Sequence, residues 1–216
     1  VIAFRPQLVS AYSQNNLERV QKMMSVMSKA GFVLVYTLAI PIFLEINYVL
    51  SLWLGETVPT SAPAFSKLSL LSMIVGIFNI PVTQVIHATG HMTRYHLLTS
   101  FVMFSILPIS WLLFKLSFDA IFIYWITVLI TVINQVCALI ILYNVFKYDF
   151  KQYLIDVISP CVIIMVIAPI IPWFVCQMFE TSFMRFLVVC ILSCFMMTLL
   201  SYFFLLNKIE KKWFKD

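Results

Sequence analysis

Few side chains in this sequence can do chemistry, and many of them crowd into one stretch, Asn79 to His96, which reads NIPVTQVIHATGHMTRYH. Amides, hydroxyls and imidazoles at that density bind polar ligands, move protons or hold metals. Catalysis asks for more specific company. The sequence has no Ser/His/Asp set, no Asp-x-Asp and no paired carboxylates in one region, so it reads as no enzyme, with no catalytic residues. His87, His91 and His96 cluster at the end of the stretch, but their neighbours offer no further ligands. They read as interfacial polar residues, and neither a metal nor any other cofactor is expected. All five cysteines (Cys137, Cys161, Cys176, Cys190 and Cys194) fall inside apolar runs and read as small packing groups, including the i, i+4 pair Cys190 and Cys194.

Spacing gives the polar residues an order. Ser69, Ser72, Gly76, Asn79, Thr83, His87 and Gly90 follow one another at steps of three and four, which lines them along one face of a helix. Thr127, Thr131 and Asn134 repeat the pattern further on, with Gln135 beside them. Such a row either packs helix against helix or lines a solvated cavity for a polar cargo, and the sequence leaves both open. Glu45 is the deepest acid, about 15 residues into an apolar run and thus roughly 22 Å along a helix. It is the candidate for ion coupling, while Asp156 reads as interfacial. Prolines at 41, 81, 108, 160, 169 and 172 each remove a backbone donor and permit a kink.

The elements that position these residues follow from composition. Hydrophobic residues make up 62% and charged residues 11%, with a mean hydropathy of +1.01. Such a chain cannot coat a water-facing surface, so the expected fold class is an all-α polytopic membrane protein. Continuous rather than alternating apolar runs exclude a β-barrel. Six transmembrane helices are expected at about 31–53, 67–88, 97–116, 120–143, 154–177 and 184–206. "VIAF" at the start reads as an N-terminal helix remnant. The loops before 31, around 89–96, at 144–153 and after 206 hold eleven Lys and Arg, against three (Lys67, Lys115, Arg185) in the others. By the positive-inside rule both ends are then cytoplasmic.

The formal charge of +5 is thereby assigned to topology and membrane lipids rather than to nucleic acid. The tail NKIEKKWFKD reads as a lipid-touching segment. SQNNLERVQKMMSVMSKAG is amphipathic, with Leu17, Val20, Met24 and Met27 on one face and capping-box spacing at Asn15 and Glu18. It reads as a short helix in the headgroup plane. The chain therefore divides into 1–30 (helix end and connector), 31–146 (four spans) and 147–216 (two spans and a basic tail).

Several of these segments resemble the Wzx-type polysaccharide flippases, relatives of the multidrug and toxic-compound extrusion transporters. LWLGETVP (Leu52 to Pro59), closing a span that carries Pro41 and Glu45, and HATGHMTRYH after the next span are similar to that family in order and spacing. LPISWLLFK, the basic FKYDFKQYL and the opening FRPQLVSAYSQNNLERVQKM are similar in placement. The resemblance implies a two-lobed transporter of the bacterial inner (cytoplasmic) membrane, with 31–143 in the second lobe and 154–206 as an added helix pair. With its first lobe missing, the fragment alone is expected not to transport. The implied substrate is an undecaprenyl-pyrophosphate-linked oligosaccharide repeat unit for surface polysaccharide or O-antigen, moved by alternating access. Asn79, Thr83, Thr131 and Asn134 would meet its sugar hydroxyls, Arg5 its phosphate, and other polysaccharide-assembly proteins would be partners. A drug–cation antiporter, a non-transporting scaffold subunit and a membrane glycan polymerase or ligase are the alternatives; short outer loops argue against the last.

Overall fold

The computed structural model describes residues 4–55, 57–90, 92–146 and 149–205, and these hold helices and no strand. Six helical stretches are long and apolar enough to cross a membrane: Leu17–Leu44, Ala62–Ala88, Met92–Lys115, Ile121–Val145, Phe150–Met178 and Phe183–Leu205. His91, Lys147 and the basic tail lie outside the described residues. The chain forms two compact units built from interleaved segments: Val1–Gly31 with Ala64–Gln152, and Phe32–Pro63 with Tyr153–Asp216.

In the first unit, α1 (Arg5–Ser13) starts on Pro6, whose missing N–H is harmless in a first helical turn. Asn15 then takes a left-handed turn (φ 55°). Asn16, rather than Asn15, caps the next helix by accepting from the Arg19 N–H at 3.1 Å. That helix, α2 (Leu17–Leu44), runs without interruption through the boundary expected near residue 31. The amphipathic segment is therefore its first turns and not a separate helix. Val20, Met24 and Met27 are buried, as their spacing requires. Gly31 explains how the helix continues. A Cβ there would lie 3.3 Å from Ile77 Cγ1, so the glycine lets Ile77 approach closely, at a helical penalty of about 1 kcal/mol.

Prolines account for most of the remaining breaks. A proline at position i leaves the carbonyl of i−4 without its donor. The second span divides at Ile77–Phe78 into α4 (Ala62–Gly76) and α5 (Asn79–Ala88), four and three residues before Pro81. The third divides at Ser105 into α6 (Met92–Phe104) and α7 (Ile106–Lys115), just before Pro108. The fourth, α8 (Ile121–Phe146), has no proline and is continuous. Gly90 closes the turn after α5 with φ 78°, a conformation other residues adopt only with strain. Along α8, Tyr124 stacks on Phe65, Thr131 faces Gly76 and Gln135 reaches Phe78. Both sets of numbers rise together, so α8 runs parallel to α4 and α5, as spans separated by one return crossing must.

In the second unit, Pro41 lies inside α2, and a one-residue break at Glu45 (φ −104°, ψ 27°) leads into α3 (Ile46–Leu54). The fifth span begins as α9 (Phe150–Tyr153) and loosens into a π-helical turn, Leu154–Ile158, ahead of Pro160. It continues as α10 (Ser159–Ile167) and α11 (Ile170–Met178), which part before Pro172. Tyr36 donates its hydroxyl to the Met165 carbonyl at 2.6 Å, the very group that Pro169 leaves without a donor. The sixth span, α12 (Phe183–Leu200), packs back along α11 and ends in a second π-helical turn, Ser201–Leu205.

Replacing Asn16 by Ala should destabilise the protein by about 1 kcal/mol, whereas Asn16→Asp should leave it near the parent. Denaturant unfolding in detergent micelles measures both, and equal stability of the alanine variant would remove the cap from the account.

Candidate functional sites

The first unit gathers the polar residues of α5 and α6 into two adjoining groups. In one, Asn79, Thr83 and Tyr95 form a ring. Thr83 Oγ1 lies 2.8 Å from both Asn79 Oδ1 and Tyr95 Oη, and the Tyr95 hydroxyl donates to Asn79 Oδ1 at 2.7 Å. Helical spacing sets Asn79 and Thr83 one turn apart, and the tight turn at Gly90 brings α6 back so that buried Tyr95 meets them. The ring uses only the carbonyl oxygen of the Asn79 amide.

In the other group, Arg5 reaches from α1, which packs against α5 through buried Leu8 and Ala11. Its Nε donates to Gln84 Oε1 at 2.9 Å and its Nη2 lies 3.1 Å from His87 Nδ1. His87 Nε2 in turn lies 3.2 Å from His96 Nε2. A guanidinium only donates, so His87 Nδ1 must accept. The neutral His87 ring then carries its hydrogen on Nε2 and donates it to His96 Nε2, which fixes the His96 hydrogen on Nδ1. The result is a relay with a direction. While it holds, the His87 Nε2 lone pair is occupied by hydrogen, so this nitrogen is no metal ligand. His91 lies outside the described residues.

The two α8 candidates stand apart from this network. Thr131 turns its hydroxyl to the Thr127 carbonyl of its own helix at 2.8 Å, presenting its methyl group to Gly76. Asn134 is 8% exposed, and its Oδ1 is buried without a partner. Its neighbour Gln135 donates to the Phe78 carbonyl at 3.2 Å, tying α8 to the break in the second span, while Gln135 Oε1 is also unpartnered. Arg5, Asn79 and Thr83 are thus brought to one region, and Thr131 and Asn134 are not part of it. Gln84 and Tyr95 were missed by the sequence reading. Both stood in the quoted stretch, but Gln84 falls off the three-and-four row and Tyr95 read as part of a turn.

The second unit holds a different site. Glu45, 3% exposed, accepts from Arg185 Nη2 through its Oε2 at 2.6 Å and from the Cys176 thiol through its Oε1 at 3.4 Å. Arg185 Nη1 also donates to the carbonyls of Cys176 (3.2 Å) and Phe179 (2.6 Å). These carbonyls belong to the C-terminal end of α11, where a cation meets the negative pole of the helix. Ser182 caps α12 by accepting from the Arg185 N–H at 3.2 Å, which sets the arginine in the first turn facing back. The guanidinium fork joins three acceptors at once, which a lysine ammonium on its flexible stem does less well. Arg185 was counted from sequence only as a loop charge. Its partner lies 140 residues away, and no local pattern links them.

Searches against models of known protein families, curated proteins and solved structures found no match to this chain.

Arg185→Gln should destabilise the protein by about 3–5 kcal/mol, because it strands a buried carboxylate. Replacing both Glu45 and Arg185 by Met should cost far less than that single change. Thermal unfolding of the parent and the two variants in one detergent checks this, and a loss in the double variant as large as that of Arg185→Gln would overturn it.

Proposed function

We propose that this protein serves in a polysaccharide flippase of the bacterial inner membrane, moving an undecaprenyl-pyrophosphate-linked oligosaccharide repeat unit by alternating access. The observation that carries this reading is the composition of the first unit's network. Amide and hydroxyl groups (Asn79, Thr83, Gln84, Tyr95) lie beside a single guanidinium, Arg5, which bonds to one of them, Gln84, and to the imidazole of His87. Neutral donors and acceptors suit sugar hydroxyls, and a cation at the edge suits a phosphate. A site for apolar drug cations would instead want aromatic walls and a carboxylate, and the one buried carboxylate among the described residues of the second unit is already matched by Arg185. The asymmetry of Lys and Arg between alternating loops supports cytoplasmic ends.

In this reading Asn79 and Thr83 meet the sugar and Arg5 the phosphate, with Asn134 offering its unpartnered carbonyl to a hydroxyl. Thr131 is a packing residue whose hydroxyl is spent on its own helix. Glu45 belongs to the coupling machinery and does not touch the oligosaccharide.

Depleting the protein in its host and assigning lipid-linked oligosaccharides to a leaflet is the direct test. Complete repeat units accumulating on the cytoplasmic side are expected, and normal lipid-linked intermediates with normal surface glycan would overturn the reading. In the host, Asn79→Leu should reduce glycan output more than Asn134→Leu, because it opens the ring. Equal or reversed losses, at matched membrane abundance, would remove Asn79 from the substrate path.

A further inference from the structure

The second unit keeps its charges scarce. Among its described residues Arg185 is the one cation, and the acids are Glu45, Asp156 and Glu180. Of these Glu45 is buried and the other two are exposed. Arg185 therefore has one buried counter-charge, and Glu45 has one cation within reach. The two are placed on segments that are each able to move. Glu45 sits where the backbone leaves the helix for a single residue between α2 and α3. Arg185 sits in the first turn of α12, beside the exposed run Phe179–Met184. The Arg185 side chain is 12% exposed in the bonded state.

The contacts are unequal in kind. The carbonyls of Cys176 and Phe179 are neutral acceptors that meet Arg185 at the end of α11. The bond to Glu45 Oε2 is the one that ties α3 to the α11–α12 turn, and it depends on the carboxylate being charged. A proton added to that carboxylate removes the attraction that offsets the burial of both groups. We propose that Arg185 and a proton are alternative partners of Glu45, so that protonation of the carboxylate releases the guanidinium and frees α3 from the α11–α12 turn. The balance is simple: the proton joins Glu45, Arg185 keeps its charge, and that charge moves from a buried partner to solvent. Among the described residues, the titratable groups that bond to Glu45 or feel its charge are Cys176 from α11 and Arg185 and Cys190 from α12. Thiols as a class ionise in alkaline solution, so over the acid range the carboxylate is the group that changes charge.

This rests on the transport reading only for what the release would drive. The exchange itself is a property of the chain and is measured without any substrate. The protein in lipid nanodiscs is followed by infrared spectroscopy for a protonated carboxyl band and by amide hydrogen exchange of residues 176–186. Exchange is corrected for its intrinsic pH dependence and compared with residues 123–140 of α8. In the wild type the band should be absent near neutrality. On acidification it should appear together with a roughly tenfold rise in exchange of the turn, at one shared midpoint. In Glu45→Gln the turn should exchange fast at every pH. If that variant fails to fold, Glu45→Asp, too short to span to Arg185, should show fast exchange with the carboxyl band already present near neutrality. Failure of the flippase test would leave these results standing. The inference is overturned if wild-type exchange is flat, if the band appears while the turn stays protected, or if the glutamine or aspartate variant keeps wild-type protection. Sodium at neutral pH opening the turn as acid does would transfer the role to a metal cation and equally overturn it.

Discussion

In hydrocarbon a peptide carbonyl has no water to turn to, and leaving one without a donor costs several kcal/mol. That constraint organises this protein, because prolines fall inside most of its spans. Each proline removes one donor from the helical ladder, and the structure answers locally. The helix breaks or loosens just before Pro81, Pro108, Pro160 and Pro172. One carbonyl so freed, that of Met165, takes its hydrogen from the Tyr36 hydroxyl of another segment, and Gln135 reaches the carbonyl beside the break that Pro81 creates. At these two places the bond that meets a backbone carbonyl is also a bond between spans.

Charge obeys a related rule. A buried ion pair adds little net stability over an apolar pair, yet removing one member is expensive. Glu45 and Arg185 therefore depend on each other while both are buried and charged, and the Cys176 and Phe179 carbonyls add acceptors at the end of α11. The first unit solves the polar problem differently. It has no buried carboxylate in its network and relies on rings of hydroxyl and amide groups that satisfy one another, with Arg5 at the exposed edge.

Much of the helical architecture was legible in the residues. Long apolar runs fixed six spanning helices, and the spacing of Val20, Met24 and Met27 identified a buried stripe. Gly90 marked the turn, and the prolines marked the breaks to within a few residues. The boundary at residue 31 was not legible. A glycine in a helix reads as a weak point, and only the closeness of Ile77 shows why it is retained. The site was legible where its partners were local, as with Asn79 and Thr83 one turn apart. It was hidden where the partners were distant in sequence, as with Arg5 and Gln84 or Glu45 and Arg185. Spacing along one helix carries no information about what a second helix brings to it.

The relay from Arg5 through His87 to His96 has a polarity set entirely by its first member. Because arginine has no lone pair to offer, each ring downstream is committed to receiving on one side and giving on the other. The last group in line, the Nδ1 of His96, is left with a hydrogen and no choice but to give it away. The relay therefore ends in a hydrogen-bond donor carried by an exposed residue.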